Sequence, residues 1–255
     1  MEVASHIEAL RAEGDRMAEA IGAAAAADAA VPTCPGWVVR DLARHIGGVH
    51  RWATGIVSTP RPEPGGADLD AVVGRWPDDG ELEPWFREGL AGLATALEAA
   101  PPDLECWTFL PAPSPLAMWA RRQAHETTVH RVDAERAAGR TTDELSVLAP
   151  ALAADGVDEL LTCFVPRRRT GLHADPPTSL LVRCTDEDAG WVLQIDGEGV
   201  TTTPVVEGDA ACTVRGSAAD LYLALWNRRG PEVLAVEGDP GVLGLFLDSV
   251  HVRWA

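Results

Sequence analysis

Long stretches of helical periodicity fill the first half of the chain, with proline-rich or polar breaks between them. Apolar side chains recur there every three or four residues, the spacing that places them on one face of an α-helix. The pattern predicts four helices, at residues 3–27, 38–56, 81–99 and 115–138. Gly139 is a suitable stop for the fourth. Four helices of this length joined by loops are typical of a four-helix bundle.

Two breaks in this pattern are predicted to be loops. Residues 31–36 contain two prolines and a glycine and cannot continue a helix. Residues 60–80 are rich in proline, glycine and aspartate and form the longer loop.

The second half of the chain has a different pattern. A helix is predicted over residues 148–164, and short runs with strand-like composition then follow, at Ser179–Cys184, Gly190–Ile195, Val200–Val206 and Ala211–Arg215. The remaining elements are a helix at 216–227 with Ser217 as N-cap, a strand at 232–236, a short helix at 239–247 and a strand at 251–254. These elements predict a smaller α+β domain with a mostly antiparallel sheet. The boundary lies near residue 145, which gives domains 1–145 and 146–255.

Composition and charge exclude several classes of function. The chain has 255 residues and a formal net charge of −18, so an acidic surface disfavours nucleic-acid partners. The 21 basic residues are all arginine, which excludes a Schiff-base lysine and a Walker-type phosphate lysine. The 5 cysteines include no CxxC pair, so neither a disulfide framework nor a cysteine zinc knuckle is expected.

Location and source are also expectations from composition. No apolar run approaches the ~18 residues that span a bilayer, and the polar start of the chain lacks the layout of a secretory signal. We therefore expect a cytoplasmic protein without a membrane partner. The arginine, alanine and glycine bias is typical of a GC-rich, actinobacterial genome.

The candidate chemistry is a set of three residues on two predicted helices. Glu126 and His130 are four residues apart, so they stack on one helix face. His45 lies beside the apolar stripe of the second helix. Two imidazoles and one carboxylate form the ligand set of a catalytic divalent metal with an open position. Spacing alone leaves this open, because Glu–His pairs of this kind also form plain surface hydrogen bonds, and because His125 and His130 do not make an HExxH motif.

Neighbouring residues have two possible roles each. Arg122 is placed either to hold an anionic substrate or cofactor or to pair with Glu126. Asp133 is either a hydrogen-bond acceptor for His130 or a plain helix charge. Residues 167–169, three arginines, are a solvated loop or an anion site. Cys34 and Trp37 are interpreted as packed residues of the turn before the second helix.

Two longer motifs carry a family resemblance. The stretch Thr33-Cys-Pro-Gly-Trp-Val-Val-Arg-Asp-Leu-Ala-Arg-His45 and the stretch Arg122-Gln-Ala-His-Glu-Thr-Thr-Val-His130 resemble the mycothiol-dependent maleylpyruvate isomerase family, within the DinB-like superfamily of metal-binding bundles. The segments around 209–220 and 236–239 are similar to the second domain of that family.

The resemblance implies a fold, a ligand set and an activity. The fold is a DinB-like four-helix bundle followed by the α+β domain, and the metal ligands are His45, Glu126 and His130, with zinc the expected ion. The thiol mycothiol is the implied cosubstrate, and a metal-activated thiolate adds to a small electrophile, giving thiol transfer or cis–trans isomerisation. The alternatives are a protein that binds a metal or small molecule without turnover and a metal-assisted hydrolase.

Overall fold

In the computed structural model the chain consists of two units, Met1–Ser146 and Val147–Ala255. The structure describes residues 1–24, 26–59, 68–145, 147–167, 171–205 and 207–252. None of the described helices is both long enough and apolar enough to cross a membrane.

The described part of the first unit contains four long α-helices and one short one. Their bounds are α1 Val3–Ala23, α2 Val39–Ser58, α3 Leu69–Val73, α4 Leu82–Ala99 and α5 Pro115–Ala137. Helix α5 packs chiefly on α1 and also on α2, while α4 packs on α1 and α2. The four-helix bundle predicted from the periodicity is therefore confirmed.

Two local predictions for this unit are wrong. Helix α1 ends at Ala23 rather than at residue 27, since Ala24 is extended and the exposed Gly22 and Ala23 bury nothing that would sustain another turn. The predicted loop 60–80 contains α3, whose first turn is capped by the Asp68 carboxylate accepting from the amide of Ala71. Residues 60–67 of that loop lie outside the described residues.

Helix α5 is the central element of the first unit, although its sequence is polar. Ser114 caps it by accepting from the amide of Ala117, and Pro115 occupies the first turn, where its missing N–H costs nothing. Many of its buried side chains are polar or charged: Arg122, Gln123, His125, Glu126, Thr127, Thr128, His130, Arg131, Asp133 and Glu135. Buried polar groups need hydrogen-bond partners, so these side chains must bind one another or groups on the helices packed against α5.

The second unit is an α+β structure with a five-stranded sheet. Its strands are β1 Thr178–Cys184, β2 Gly190–Ile195, β3 Val200–Pro204, β4 Cys212–Gly216 and β5 Ala235–Gly238. The sheet order is β3-β2-β1-β4-β5, with only the β1–β4 pair parallel. The prediction of a mostly antiparallel sheet is confirmed.

Three α-helices accompany the sheet among the described residues of this unit. Helix α6 (Pro150–Asp158) continues as a π-helical turn over Glu159–Phe164, and α7 (Ala218–Leu225) and α8 (Pro240–Ser249) follow β4 and β5. Ser217 caps α7 by accepting from the amide of Asp220, as the sequence predicts.

The end of the second unit departs from its predicted elements in two places. The predicted strand 232–236 begins later, at Ala235, because Pro231–Val233 forms a 3-10 turn. A last strand over 251–254 is wrong for His251 and Val252, and the other two residues lie outside the described part of the chain.

Candidate metal centre

The three predicted ligands lie together inside the first unit. Nε2 of His45 is 3.6 Å and Nε2 of His130 is 3.5 Å from Oε1 of Glu126. One ligand atom from each residue lies within 4.8 Å of the other two. The geometry brings one side chain of α2 and two side chains of α5 to a single point.

Local helix geometry explains this convergence. Glu126 and His130 are one turn apart on α5, so their side chains project from the same face. On α2, His45 follows the buried Leu42 by three residues and precedes the half-buried Val49 by four. Helix α2 starts where it does because the Asp41 carboxylate accepts from the amide of Val38 at 3.0 Å.

The donor set and spacing fit a divalent cation. Ligand atoms about 2.0–2.2 Å from a tetrahedral zinc ion lie about 3.3–3.6 Å from one another, close to the two distances found here. Nε2 of His45 is buried and has no hydrogen-bond partner among the described residues. A buried ring nitrogen in that state costs free energy unless something binds it.

A buried carboxylate lies on the Nδ1 side of the His130 ring, away from Glu126. Oδ2 of Asp133 is 2.7 Å from Nδ1 of His130, and the Asp133 side chain is fully buried. A proton on Nδ1 that is donated to this carboxylate leaves Nε2 as the free lone pair, directed towards Glu126. Of the two roles that the sequence left open for Asp133, the structure supports that of acceptor.

The turn before α2 also contacts this group, which the sequence reasoning missed. Oγ1 of Thr33 donates to Oδ1 of Asp133 at 2.5 Å, and Sγ of Cys34 donates to Oδ2 at 3.3 Å. The ring of Trp37 stacks on that of His130, with an interplanar angle of 6°, and meets His45 edge-on. The signal in the sequence is that the turn lies within the same motif as His45. Its partner Asp133 is 100 residues away from Thr33.

Burial shifts the pKa of each of the two α5 ligands, Glu126 and His130, in one direction, and neighbouring charges and hydrogen bonds shift it in the other. Burial raises the pKa of Glu126, but the approach of the His130 and His45 ring nitrogens and the charge of Arg122 outweigh it, so the net pKa is well below its ordinary value. Burial lowers the pKa of His130, but hydrogen bonds with Asp133, Cys34 and Glu126 raise it well above its ordinary value. The carboxylate is therefore ionised, and a cation must displace a proton from His130 to bind.

Arg122 pairs with the ligand carboxylate. Its Nη2 donates to Oε2 of Glu126 at 3.0 Å, and its side chain is 2% exposed. This geometry matches the ion-pair role that the sequence left open, and contact with a cofactor or substrate stays a prediction.

The other candidates lie away from this point. His50 contacts Thr127 rather than the ligands, with Nε2 2.9 Å from Oγ1, as expected from its position about 140° around the helix from His45. The ring of His125 faces that of His6 at 6.0 Å. Arg167 is exposed in the second unit, and Arg168 and Arg169 lie outside the described residues.

The cluster has the charge and the number of ligands that a cation needs. Once a cation has displaced the proton of His130, the two carboxylates of Glu126 and Asp133 outnumber the guanidinium of Arg122, so the buried group favours the bound cation. His45 is 17% exposed at the side chain and is the most accessible of the three. Three protein ligands leave at least one position for an external molecule.

Family models match both halves of the chain. The model of the mycothiol maleylpyruvate isomerase N-terminal domain matches residues 7–135, and that of the MDMPI C-terminal domain matches residues 151–245. No curated protein matches the chain.

Two solved structures share the fold. The crystal structure of the mycothiol-dependent maleylpyruvate isomerase matches with a TM-score of 0.61 and 13% identity, over 93% of this chain and 93% of that chain. A mutant of that enzyme with one histidine replaced by alanine matches with a TM-score of 0.60 and 12% identity over the same shares. Since the two family models cover most of its length in the expected order, the chain belongs to the mycothiol-dependent maleylpyruvate isomerase family.

Proposed function

We propose that this protein binds a divalent cation, zinc being the first to test, through His45, Glu126 and His130. We propose further that it uses mycothiol to act on a small electrophile, by cis–trans isomerisation or thiol transfer. The observation that carries the proposal is the approach of both ring nitrogens to one oxygen of Glu126, at 3.6 and 3.5 Å, in a buried site.

Family membership supports the thiol part of the proposal. The solved structures with the same fold are described as mycothiol-dependent maleylpyruvate isomerases. An unsaturated keto acid of the maleylpyruvate type is therefore the first substrate to test.

Each side chain of the site has a defined task in this proposal. When bound, a divalent cation supplies positive charge that lowers the pKa of a thiol next to it. Asp133 keeps the proton of His130 on Nδ1, and Arg122 offsets the charge of Glu126. Trp37 lies parallel to the ring of His130 and meets that of His45 edge-on, which limits the access of water to the ligands.

The thiol step balances without an oxidant or reductant. The thiolate sulfur forms a C–S bond to one carbon of the conjugated double bond, and the π electrons move towards the adjoining carbonyl. Rotation about the new single bond and cleavage of the C–S bond restore the double bond in the other geometry. The thiol proton passes to water and returns when the thiol leaves, whereas in thiol transfer a proton adds to the neighbouring carbon.

Metal analysis of the purified protein tests the ligand set. We expect one ion per chain in the wild type and none in His130→Ala, with the helical content of the two proteins equal. His173→Ala is the matched control, because His173 is exposed in the second unit, and it should keep the ion. A stoichiometric ion in His130→Ala would show the ligand assignment to be wrong.

Titration of the cobalt-substituted protein with mycothiol tests the thiol part. A sulfur-to-cobalt charge-transfer band together with turnover of maleylpyruvate supports the proposal. Metal binding without a thiol band favours a hydrolase that uses water instead, and a thiol band without turnover of any electrophile favours a binding protein.

A further inference from the structure

The turn between α1 and α2 is closed by hydrogen bonds within its own backbone. The amide of Val31 donates to the carbonyl of Trp37 at 2.9 Å, and the amides of Cys34 and Trp37 donate to the carbonyls of Val31 and Cys34 at 3.0 Å each. Gly36 has φ +87°, a backbone conformation that favours glycine. The backbone of residues 31–37, here named the 31–37 turn, is therefore held by hydrogen bonds within the turn.

The 31–37 turn supplies two donors to the Asp133 carboxylate. Oγ1 of Thr33 binds Oδ1 at 2.5 Å, while Sγ of Cys34, at 3.3 Å, and Nδ1 of His130, at 2.7 Å, share Oδ2. Asp133 is 0% exposed. A buried carboxylate stays ionised only where hydrogen bonds replace the water it has lost.

The division of the two oxygens sets the orientation of the carboxylate. The hydroxyl of Thr33 holds Oδ1, which leaves Oδ2 facing Nδ1 of His130. Oδ2 in that place accepts from Nδ1 of His130, so the ring is held with Nε2 towards Glu126, where a cation would bind. The orientation of a ligand on α5 thus depends on a turn about 100 residues earlier in the chain.

Trp37 adds a second restraint from the same turn. Its ring lies parallel to that of His130, with centroids 6.3 Å apart. The hydrogen bond directs Nδ1 towards Asp133, and the indole restricts the plane of the ring.

We propose that Thr33 and Cys34 are positioning residues of the metal centre, which hold the ring of His130 with Nε2 towards Glu126 by anchoring the Asp133 carboxylate. The inference rests on the proposed function for its effect on metal binding. The hydrogen bonds that link the 31–37 turn through Asp133 to His130 exist without a metal and can be tested in the metal-free protein.

The experiment compares isosteric and conservative variants. Thr33→Val and Cys34→Ala remove the donors at little change in volume, and Thr33→Ser and Cys34→Ser restore them. Asp133→Asn is the reference for complete loss of the charged acceptor. Thr54→Val is the matched control, because Thr54 donates only to the helix carbonyl of His50 among the described residues.

Two measurements are made on each variant. The first is zinc affinity by competition with a chelator, where loss of a partner behind a histidine ligand costs about 10- to 100-fold. We expect Asp133→Asn to lie in that range and Thr33→Val and Cys34→Ala near tenfold, with both serine variants and Thr54→Val close to wild type.

The second measurement is the exchangeable Nδ1–H signal of His130 in proton NMR, assigned by its loss in Asp133→Asn and recorded with and without zinc. We expect faster exchange with water and broadening in Thr33→Val, and recovery in Thr33→Ser. An unchanged signal in both Thr33→Val and Cys34→Ala would overturn the inference, even if zinc affinity fell, since the turn would then act by packing alone. A wild type that binds no zinc would refute the proposed function and leave the metal-free NMR comparison valid.

Discussion

Helix α5 contains two buried polar groups that differ in how their charges are satisfied. On one face, Arg131 donates through Nε to Oε2 of Glu13 at 2.8 Å and through Nη1 to Oε2 of Glu135 at 2.9 Å, and Arg140 and Arg16 complete the pairing. On the neighbouring face, Glu126 lies between two imidazoles whose Nε2 atoms approach the same oxygen. Each carboxylate of the first group is paired with two guanidinium groups, whereas the second group brings two ring nitrogens to one carboxylate oxygen.

This difference separates a structural network from a candidate site on the same helix. In the arginine network every carboxylate oxygen of Glu13 and Glu135 accepts from a guanidinium. In the histidine group the buried Nε2 of His45 lacks a hydrogen-bond partner in the described part of the chain. The α5 side chains of both groups, Glu126 and His130 in one and Arg131 and Glu135 in the other, are buried, so the burial of polar residues on α5 does not by itself identify function.

The largest effect on the free energy of unfolding is expected from breaking the arginine network around Arg131. Arg131→Ala leaves two carboxylates buried without their shared partner, since the side chains of Glu13 and Glu135 are 3% and 0% exposed. Removing one member of a buried ion pair costs about 3–5 kcal/mol. We expect a loss of that size in the free energy of unfolding, measured in urea on the metal-free protein, while folded molecules still bind one ion.

Arg11→Ala is the control for this comparison. Arg11 forms an ion pair with Glu98 in which both side chains are about half exposed, at 42% and 51%, and exposed pairs contribute at most about 1 kcal/mol. If Arg131→Ala abolished metal binding at a stability equal to that of Arg11→Ala, the division between the two groups would be wrong.

The helices and the ligand face of α5 could be predicted from the sequence because they depend on local periodicity. Glu126 and His130 share a face in any α-helix, and Ser114 with Pro115 defines where that helix starts. The prediction failed where the outcome depends on exposure or on short-range turn chemistry, as with α3 and the end of α1.

The partners of the buried side chains could not be predicted from the sequence. Arg131 and Glu13 are 118 residues apart, and Thr33 and Asp133 are 100 apart. No periodicity within α5 distinguishes Asp133, which holds His130, from Glu135, which binds arginine. Only the packing of α1 and of the 31–37 turn on α5 separates their roles.

The next effect concerns pH and a histidine that belongs to neither group. Burial, and then the charge of Arg51, lower the pKa of His50 to about 3 from its ordinary 6.5. The unfolded chain therefore takes up the proton first as pH falls, and the folded state loses stability between about 6.5 and about 3. The loss from this group is roughly 1.4 kcal/mol for each pH unit in that window.

His50→Gln tests whether His50, rather than a ligand histidine, causes this pH dependence of stability. We expect the free energy of unfolding of the metal-free variant to fall less steeply than that of the wild type between pH 6.5 and 4.5, a difference of roughly 2–3 kcal/mol across the window. Because His50 contacts Thr127 and not the ligands, metal content at neutral pH should be unchanged. Parallel stability curves for the two proteins would contradict the assignment of His50 as a neutral buried residue.

The smallest effect should come from the start of α5, where the helix itself can be weakened without touching either polar group. Ser114 Oγ accepts from the amide of Ala117 at 3.1 Å, and replacing such a cap by alanine costs about 1 kcal/mol. Ser114→Ala should therefore lower the urea midpoint modestly and leave zinc affinity at the wild-type value, because Glu126 lies three turns further along a helix that α1 and α2 hold in place. The same substitution at Ser217, which caps α7 in the second unit, is the control for a cap remote from α5. If Ser114→Ala weakened zinc binding and Ser217→Ala did not, the ligand face would depend on the whole of α5, and the two polar groups would be coupled through the helix rather than independent.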